Sequence, residues 1–404
     1  MKKRKLIALG LAFMVLVALV PALAGGRQEA PASATSTLRV AVPTFPNSLD
    51  ASIAAERNAQ NVAWQMFDSL VWANDQNIIE PALAREWEVS ADGTAYTFHL
   101  RRDVTFHNGE PFNAEAVVFS WERGTQPHIE WSDRWGRAKS VEALDEYTVR
   151  ITTEEPDPLL LGVMAQHWNI IPPGYTREVG DDRFGEAPIG TGPFQFVEWA
   201  RESRIVLQRN PNYWREGLPR VDEVIYRPIP EPSTRMAAIQ TGEVDIVNRL
   251  TAEQAGALEG IPGVNVVTYP VDRVFYIAFN NLTSGVGQPT EDARVRRAMN
   301  YAVDRQAIID SLFEGRAQLA TGLMTESNLG YDHSIDPYPY DPARARQLLR
   351  EAGYPNGFDL EITSLTGAAS RSTMTGAIRP RMMSRVARIV SSSDSQGSMP
   401  TARA

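Results

Sequence analysis

The feature that most limits the fold of this chain is the point at which its helix and strand patterns stop. Apolar side chains recur with helical or strand spacing from about residue 38 to residue 366. Residues 367–404 are instead rich in Ser, Arg and Met, carry six Arg against one acidic residue, and contain no aromatic side chain. Such a segment cannot bury a core, so we expect a disordered or aberrant tail at residues 367–404.

The N-terminus has the pattern of an export signal. A basic start is followed by an apolar run, a helix breaker at Pro21 and a small-residue cleavage site that ends at Ala24. We therefore expect a cleaved signal peptide at residues 1–24 and a flexible linker at residues 25–37. An uncleaved anchor is the alternative, because the apolar stretch is nearly long enough to span a bilayer.

The chain contains no cysteine. It therefore has no disulfide, no thiolate metal site and no residue after the signal that could carry a lipid anchor. We expect a periplasmic or other extracytoplasmic protein that is not a lipoprotein and whose stability comes from its core alone.

The charge of the body of the chain limits its partners. Residues 25–366 carry 30 basic and 48 acidic side chains. An acidic body of this kind does not favour nucleic acid or an anionic membrane surface.

No catalytic or metal-binding motif is present. The five histidines have no metal-ligand spacing, and no nucleophile elbow, P-loop or dinucleotide fingerprint occurs. We therefore expect no enzyme activity, no metal and no cofactor. Gly190 to Pro193 predicts a sharp turn rather than a phosphate cradle, and His107, which precedes Asn-Gly, predicts a turn histidine. The adjacent carboxylates of Asp181 and Asp182 are typical of a solvated surface.

The patterned region mixes strands and helices without a strict alternation, which indicates an α/β fold with more than one lobe. Asn113, Thr251 and Asp341 are the expected helix N-caps. The predicted strands are 38–42, 95–101, 146–152, 194–197, 204–209 and 274–279, and the predicted helices are 60–72, 114–123, a short helix after 251, 292–303 and one from 342 to a glycine cap at 353.

Several stretches together resemble the extracytoplasmic solute-binding proteins of ABC importers, in the dipeptide, oligopeptide and nickel-binding family (family 5). Each stretch is weak evidence by itself, but all of them occur in the family's order over about residues 38–365. The matching stretches are "WQMFDSLVW", "EPALAREWEVSADGTAYTFHLRRDVTFHNGEPFNAEAVVFSWER", "PIGTGPFQFVEW", "LQRNPNYWREGLPRVDEVIYRPI", "AAIQTGEVDIV", "YIAFNN", "VRRAMNYAVDRQAII" and "YDPARARQLLREAGYPNGFDLEI".

The resemblance implies a two-lobed clamp like that of periplasmic binding proteins, with an extra subdomain in the first lobe. A solute binds between the lobes, which close about a hinge. It places the first lobe at residues 38–275, with the inserted part at about 68–184, and a partial second lobe at residues 276–366. Family chains continue with more of the second lobe where this sequence changes to the tail, so we expect the second lobe to be incomplete. The chain would cross between lobes near residues 276–281, although a strand followed by a turn is an equal alternative.

The resemblance also indicates which residues border the cleft. They lie in the loop after the first strand, beside the expected hinge, and in residues 321–331. That last segment lacks a Pro-Pro pair that is frequent in the family, which leaves its register open. The candidate ligand-binding residues are Thr44, Phe45, Tyr276, Asn280, Met324 and Asn328.

The function implied by the resemblance is the capture of a peptide or a related small solute and its delivery to an ABC permease in the cytoplasmic membrane. We expect a monomer. Related members take nickel chelates, opines or oligosaccharides, so the ligand stays open. Two alternatives also stay open: a nonfunctional truncated fragment, for example from an altered reading frame near residue 366, and an exported hydrolase, which the motif search does not support.

Overall fold

The computed structural model describes residues 35–53, 57–271, 273–283, 285–366 and 370–378. The predicted signal peptide, nearly all of the predicted linker and residues 379–404 of the predicted tail lie outside the described residues.

Short strands and helices follow one another along the described chain. In chain order they are β1 (Thr37–Val42), α1 (Arg57–Ala63), β2 (Val71–Ala73), β3 (Ile79–Pro81), β4 (Ala84–Val89), β5 (Ala95–Leu100), α2 (Ala114–Gly124), α3 (Ser132–Trp135), β6 (Ser140–Asp145), β7 (Thr148–Thr152), α4 (Leu160–His167), α5 (Pro173–Glu186), β8 (Phe194–Ala200), β9 (Arg204–Arg209), β10 (Glu223–Pro228), α6 (Pro232–Gln240), β11 (Ile246–Val247), α7 (Ala252–Leu258), a 3₁₀ turn (Pro289–Glu291), α8 (Ala293–Ala302), α9 (Arg305–Leu312), α10 (Pro342–Glu351), β12 (Phe358–Thr366) and β13 (Ser370–Ile378).

A mixed five-stranded sheet is formed by β1 and by the later strands β8 to β11. Its order is β11-β1-β10-β9-β8. β1 pairs in parallel with β10 and with β11, whereas β8, β9 and β10 are antiparallel neighbours. The carboxyl ends of the three parallel strands therefore meet at one edge of the sheet.

A separate antiparallel sheet has the order β4-β5-β7-β6. Along the chain, its strands fall between β1 and β8 of the five-stranded sheet. β5 shows why it forms, because Tyr96, Phe98 and Leu100 alternate along it and are all buried. The short β2–β3 hairpin and helices α2, α3 and α4 complete this part.

Two hydrophobic cores divide the first part of the molecule. One contains buried side chains from Leu70 to Ile170, and the other contains side chains up to Phe67 and again from Ile171 to Tyr226. The first of these cores lies within the range predicted for the inserted subdomain, about residues 68–184, and the second takes over again from Ile171. The domain boundaries themselves stay predictions.

The part after residue 258 has a much smaller core. Helices α8 and α10 pack through six buried side chains, with Tyr354 and Phe358 against them. β12 pairs with β13 in an antiparallel hairpin. Residues 370–378 therefore form a strand within the range that the sequence assigns to the tail.

Most predicted helix starts are confirmed by their capping bonds. Asn113 accepts from Ala116 N, Thr251 forms a reciprocal capping box with Gln254, and Asp292 and Asp341 each accept from backbone amides of the helix that follows. These caps need only local partners, which the sequence supplies.

Two predicted elements are wrong. The helix predicted at 60–72 ends at Ala63, because the carbonyls of Gln65 and Met66 turn away to accept from Phe194 N and Gly192 N, each at 2.9 Å. The strand predicted at 274–279 is not formed, because within the described residues no neighbouring strand pairs with this segment.

Candidate functional site

The loops after β1, β10 and β11 lie together at the carboxyl edge of the five-stranded sheet. Ile229 N, just after β10, donates to Val42 O, at the end of β1, at 2.8 Å. Ligands of open α/β sheets bind at this edge, outside the carboxyl ends of parallel strands. The loop after β1 contains two of the predicted ligand-binding residues, Thr44 and Phe45.

A buried arginine holds the loops after β10 and β11 together. The Arg235 guanidinium donates to the carbonyls of Ile229 at 2.7 Å, Pro230 at 2.8 Å and Arg249 at 3.3 Å. Arg249 has φ +55°, which is uncommon for a residue with a Cβ. Next to it, Asn248 Oδ1 is buried without a hydrogen-bond donor within the described residues. This edge is therefore fixed in shape by buried polar groups.

The loop after β1, which we call the β1 loop (residues 43–53), is fixed by its own polar groups. Asp50 is buried, and its Oδ1 accepts from Ser52 N at 2.9 Å. Ser48 Oγ accepts from Asp50 N at 3.1 Å, and Leu49 N donates to Gly185 O at 2.8 Å. The backbone that carries Thr44 and Phe45 therefore enters a rigid turn.

An ion-pair network connects the β1 loop with two helices. Arg123 NH2, in the last turn of α2, lies 2.5 Å from Asp50 Oδ2, and Arg123 Nε lies 2.8 Å from Asp181 Oδ1. Asp181 Oδ2 then contacts His128 Nε2 at 2.8 Å. Asp181 follows Gly180, whose φ of +73° interrupts α5 and suits glycine.

The network shifts the pKa values of Arg123 and Asp181. Burial alone would lower the pKa of Arg123, but the carboxylates of Asp50 and Asp181 outweigh burial and raise it. Burial likewise opposes the charge of Asp181, while Arg123 and His128 outweigh it and hold the pKa of Asp181 below its ordinary value. Arg123 and Asp181 therefore pair as charged groups.

The segment that contains Arg123 and His128 also carries buried hydrogen-bond donors that have no acceptor within the described residues. We call residues 121–135 the donor segment. The indole N–H groups of Trp121, Trp131 and Trp135 and Nε of Arg134 are buried, and none has an acceptor within the described residues. Arg134 Nε does lie 3.6 Å from a carboxylate oxygen of Asp133, an ion pair that is too long for a hydrogen bond. Buried donors without partners are rare, and this segment contains four of them.

Aromatic stacking holds the donor segment in place. Trp135 stacks on Trp168 with 4.7 Å between ring centroids, and Trp131 lies 4.8 Å from His167. A Cβ on Gly124 would lie 2.2 Å from the Trp135 ring, so this position requires glycine. The donors are thus carried by a rigid aromatic cluster.

A second polar cluster fixes the connection between the two cores. Asp68 accepts from Thr191 Oγ1 at 3.0 Å, Tyr213 OH at 3.1 Å and Trp214 Nε1 at 3.0 Å. Burial raises the pKa of Asp68, and these donors offset only part of that rise. Asp68 precedes the buried side chains of the first core in sequence, and its three donors follow them. The cluster therefore joins the chain that enters the first core to the chain that leaves it.

His107 belongs to the same connection and lies in a turn, as predicted. Its Nδ1 accepts from Gly190 N at 3.3 Å and its Nε2 donates to Gly192 O at 3.0 Å. These two bonds require the neutral ring. Burial lowers the pKa of His107 to about 4, from an ordinary value of 6.5. The sharp turn at 190–193 is therefore held in place by its hydrogen bonds to His107.

The six predicted ligand-binding residues fall into two regions. Thr44 is exposed at the sheet edge, and Phe45 packs partly against the second core. Tyr276 is 66% exposed and Met324 is 49% exposed. Asn280 Oδ1 accepts from the amides of its own turn, as does Asn328 Oδ1. Their roles toward a ligand stay predictions.

One hydrogen bond brings the segment at 321–331 against the first part of the chain. Asn77 Nδ2, at the tip of the β2–β3 hairpin, donates to Ser327 O at 3.0 Å. This contact places the segment of Met324 and Asn328 next to the inserted subdomain.

Sequence reasoning missed the polar residues that the structure brings together. Asp50, Arg123 and His128 are far apart in sequence, and their spacing carries no motif. Asp181 was expected on a solvated surface with Asp182, but only Asp182 is fully exposed. One signal was available, since three of the nine tryptophans lie within the donor segment.

Two negative findings apply to the described part of the chain. No group of three His, Asp or Glu residues there could hold a metal ion. No helix there is long and apolar enough to cross a membrane.

Comparison with known proteins defines the class. A sequence model described as bacterial extracellular solute-binding proteins, family 5 Middle, matches residues 79–393. The chain belongs to this family of extracellular solute-binding proteins, which confirms the expected family and the expectation that it is not an enzyme.

Individual relatives agree with this assignment. The glutathione-binding protein GsiB of Salmonella choleraesuis is 35% identical over 337 residues, which are 83% of this chain and 65% of GsiB. The periplasmic binding protein DppA of Helicobacter pylori, solved with the peptide STSA, is 31% identical with a TM-score of 0.67, over 80% of this chain and 67% of DppA. NikA of Brucella suis, solved with Fe(III)-EDTA, is 28% identical with a TM-score of 0.69, over 83% of this chain and 66% of NikA.

These likenesses confirm the α/β fold of periplasmic binding proteins. The chain spans slightly less than two thirds of the length of GsiB.

Proposed function

We propose that this protein is the solute-binding component of an ABC-type importer. It captures a peptide or a related small solute outside the cytoplasmic membrane and delivers it to a permease. Export by a cleaved signal peptide brings it to that compartment. Family membership supports the binding role, and the names of relatives include binders of glutathione and of a peptide.

The observation that carries the proposal is the match of residues 79–393 to the family of extracellular solute-binding proteins. The loops after the parallel strands β1, β10 and β11 meet at one edge of the five-stranded sheet, where ligands of open α/β sheets bind. The names of two relatives give glutathione and the peptide STSA as their ligands, and both of these are peptides. A peptide is therefore the solute class that we propose.

Calorimetric titration of the exported chain with glutathione and with mixed di- and tripeptides tests the proposal. We expect saturable heat with at least one of them. Thr44→Val keeps the shape of the side chain but removes the hydroxyl at the sheet edge, and we expect it to weaken binding about fivefold, the effect of roughly 1 kcal/mol. Arg177→Gln is the matched control, because Arg177 pairs with Glu115 on the exposed surface of neighbouring helices.

Two results would contradict the proposal. The absence of heat and of a thermal shift with any peptide, nickel chelate or sugar would favour a nonfunctional fragment. Turnover of a peptide, ester or glycoside that disappears on substitution of one carboxylate or serine would favour a hydrolase.

A further inference from the structure

We propose that Asn77 is a latch between the two parts of the clamp and that it sets the affinity for solute through the closing of the cleft. This inference rests on the proposed function. The latch is the hydrogen bond from Asn77 Nδ2, at the tip of the β2–β3 hairpin, to Ser327 O at 3.0 Å. The two residues lie on opposite sides of the predicted crossing between lobes at residues 276–281.

The hairpin fixes the position of Asn77 through its own bonds. Asn74 Oδ1 accepts from Gln76 N at 2.9 Å and from Ile78 N at 3.0 Å, and Asn74 O accepts from Asn77 N at 2.8 Å. Asn77 has φ +58°, a left-handed conformation in which asparagine is enriched. The side-chain amide is therefore presented by a preformed turn.

The acceptor is presented by a turn as well. Asn328 Oδ1 accepts from Thr325 N at 2.7 Å, and Asn328 N donates to Thr325 O at 2.9 Å. Ser327 O takes no part in these bonds and accepts from Asn77 instead. Each partner is thus held by its own segment, and the bond between them forms only when the two segments meet.

The surfaces around the latch are not sealed. Asn77 and Ser327 are exposed, and Ile78 beside Asn77 is 54% exposed. On either side of Ser327, Leu323 is 69% exposed and Leu329 is 73% exposed. Water competes for an exposed hydrogen bond, so this bond shifts an equilibrium severalfold without holding it shut. The two parts can therefore separate here.

A second contact joins the same two parts beside the predicted crossing. Arg316 donates to Glu259 Oε1 at 2.6 Å and to Thr268 Oγ1 at 3.1 Å. The ring of Phe275, which directly precedes the crossing, lies 6.0 Å from that of Phe313. We assign this contact to the pivot, because a contact next to the connecting chain is retained when two lobes rotate. The hairpin is then on the side that parts on opening.

The latch acts on affinity through the closed population. A solute that binds the closed form has an apparent affinity reduced by the fraction of chains that are closed. Loss of the latch in a chain that is mostly open should therefore weaken binding about fivefold, which corresponds to roughly 1 kcal/mol. Release of solute should become faster, whereas association with the open form should not change.

Asn77→Asp tests the latch with little change in shape. It replaces the donor amide by a carboxylate that faces the Ser327 carbonyl. Spin labels on Glu88→Cys in β4 and Arg350→Cys in α10 report the distance between the two parts, and the chain has no cysteine of its own. Without solute, we expect the ratio of open to closed chains to rise about fivefold. Gln76→Glu is the matched control, because it makes the same amide-to-carboxylate change one residue before the latch, and it should leave the distances unchanged.

Two further variants separate the latch from the fold of the hairpin. Asn77→Gly keeps the positive φ and adds no charge, and we expect it to open the chain as Asn77→Asp does. Asn77→Cys combined with Ser327→Cys places the only two cysteines of the chain at the latch. We expect oxidation to join them by a disulfide and to slow the release of solute at least tenfold, and reduction to reverse this.

Binding of glutathione and of mixed di- and tripeptides gives the functional readout. We expect about fivefold weaker binding in Asn77→Asp and in Asn77→Gly, and unchanged binding in Gln76→Glu. If the parent chain binds none of these solutes, the proposed function fails, while the label distances and the disulfide still test the latch. Unchanged distances in Asn77→Asp, an equal opening in Gln76→Glu, or no disulfide on oxidation would each overturn the latch.

Discussion

Residues 35–258, the first part of the molecule, bury their large apolar side chains more completely than residues 259–366, the second part. In the first part, two cores enclose large side chains such as Phe98 and Trp135 completely. In the second part, Phe275 is 77% exposed and Leu282 is 90% exposed, while the buried residues are mainly small ones on α8 and α10. The most exposed large apolar side chain described in the first part, Ile78, reaches only 54%.

The difference teaches which interactions each part has available. A helix with a cap and an apolar stripe needs one neighbour, and α8 and α10 supply that to each other. A strand needs a ladder partner for every backbone group. The apolar segment at 274–279 has none among the described residues, and Phe275, Tyr276 and Ile277 within it stay exposed. An exposed patch of this kind is a site for contacts with other polypeptide surface.

The largest expected effect is a core truncation in the first part. Phe98 is fully buried in the central strand β5, between β4 and β7. Phe98→Ala should lower the free energy of unfolding by about 3–5 kcal/mol. Phe275→Ala removes the same ring in the second part, where the ring of Phe313 lies 6.0 Å away. This substitution should change the free energy of unfolding by about 0.5 kcal/mol or less. Urea unfolding of both variants measures the difference.

Equal losses in the two variants would break the comparison, because they would show that Phe275 is buried in solution. A change in the urea dependence of Phe275→Ala, rather than in its midpoint, would show instead that the unfolded or native surface had changed.

The sequence predicted those parts of the fold that depend on local signals. The caps at Asn113, Thr251 and Asp341 could be located because the bonding amides lie two or three residues away. The strand at 274–279 was wrong, because its apolar pattern says nothing about whether a partner strand is present. The end of α1 was missed for a similar reason, since Gln65 and Met66 bond to the turn at 190–194.

The candidate site could be predicted only in part. The loop with Thr44 and Phe45 was expected at the cleft from family resemblance, and the parallel strands place it at the sheet edge. The network of Asp50, Arg123 and Asp181 could not be predicted, because a buried ion pair depends on contacts between distant segments. Nothing in the local sequence distinguishes Asp181 from its exposed neighbour.

The pH dependence of the first part should show a smaller effect with a defined sign. His107 has a pKa of about 4 when folded and about 6.5 when unfolded, because burial disfavours its charged form. The unfolded chain therefore takes up the proton first as the pH falls. The free energy of unfolding should decrease between pH 6.5 and pH 4, by about 3 kcal/mol at most from this group.

His107→Gln tests this, because glutamine does not titrate. We expect its stability to change less than that of the parent chain between pH 6.5 and pH 4, as measured by urea unfolding at each pH. The control is His333→Gln in the second part, where the histidine is exposed. The raised pKa of Asp68 acts with the opposite sign, so only the difference between variant and parent reports on His107. Identical slopes in His107→Gln and in the parent would contradict a buried neutral ring.

The smallest expected effect comes from removing a helix cap in the second part, which tests whether that part is stable through its own contacts. Asp341 Oδ1 accepts from Ala343 N at 3.0 Å and from Arg344 N at 2.9 Å, and Asp341→Ala should destabilise α10 by about 1 kcal/mol. Thr251→Ala is the matched cap removal in the first part. Because the helix pair α8–α10 has its own small core, we expect Asp341→Ala to speed amide exchange in these two helices and to leave β5 unchanged. Faster exchange in β5 as well would mean that both parts unfold as one unit, and the contrast in apolar exposure would then not divide the molecule into separately stable parts.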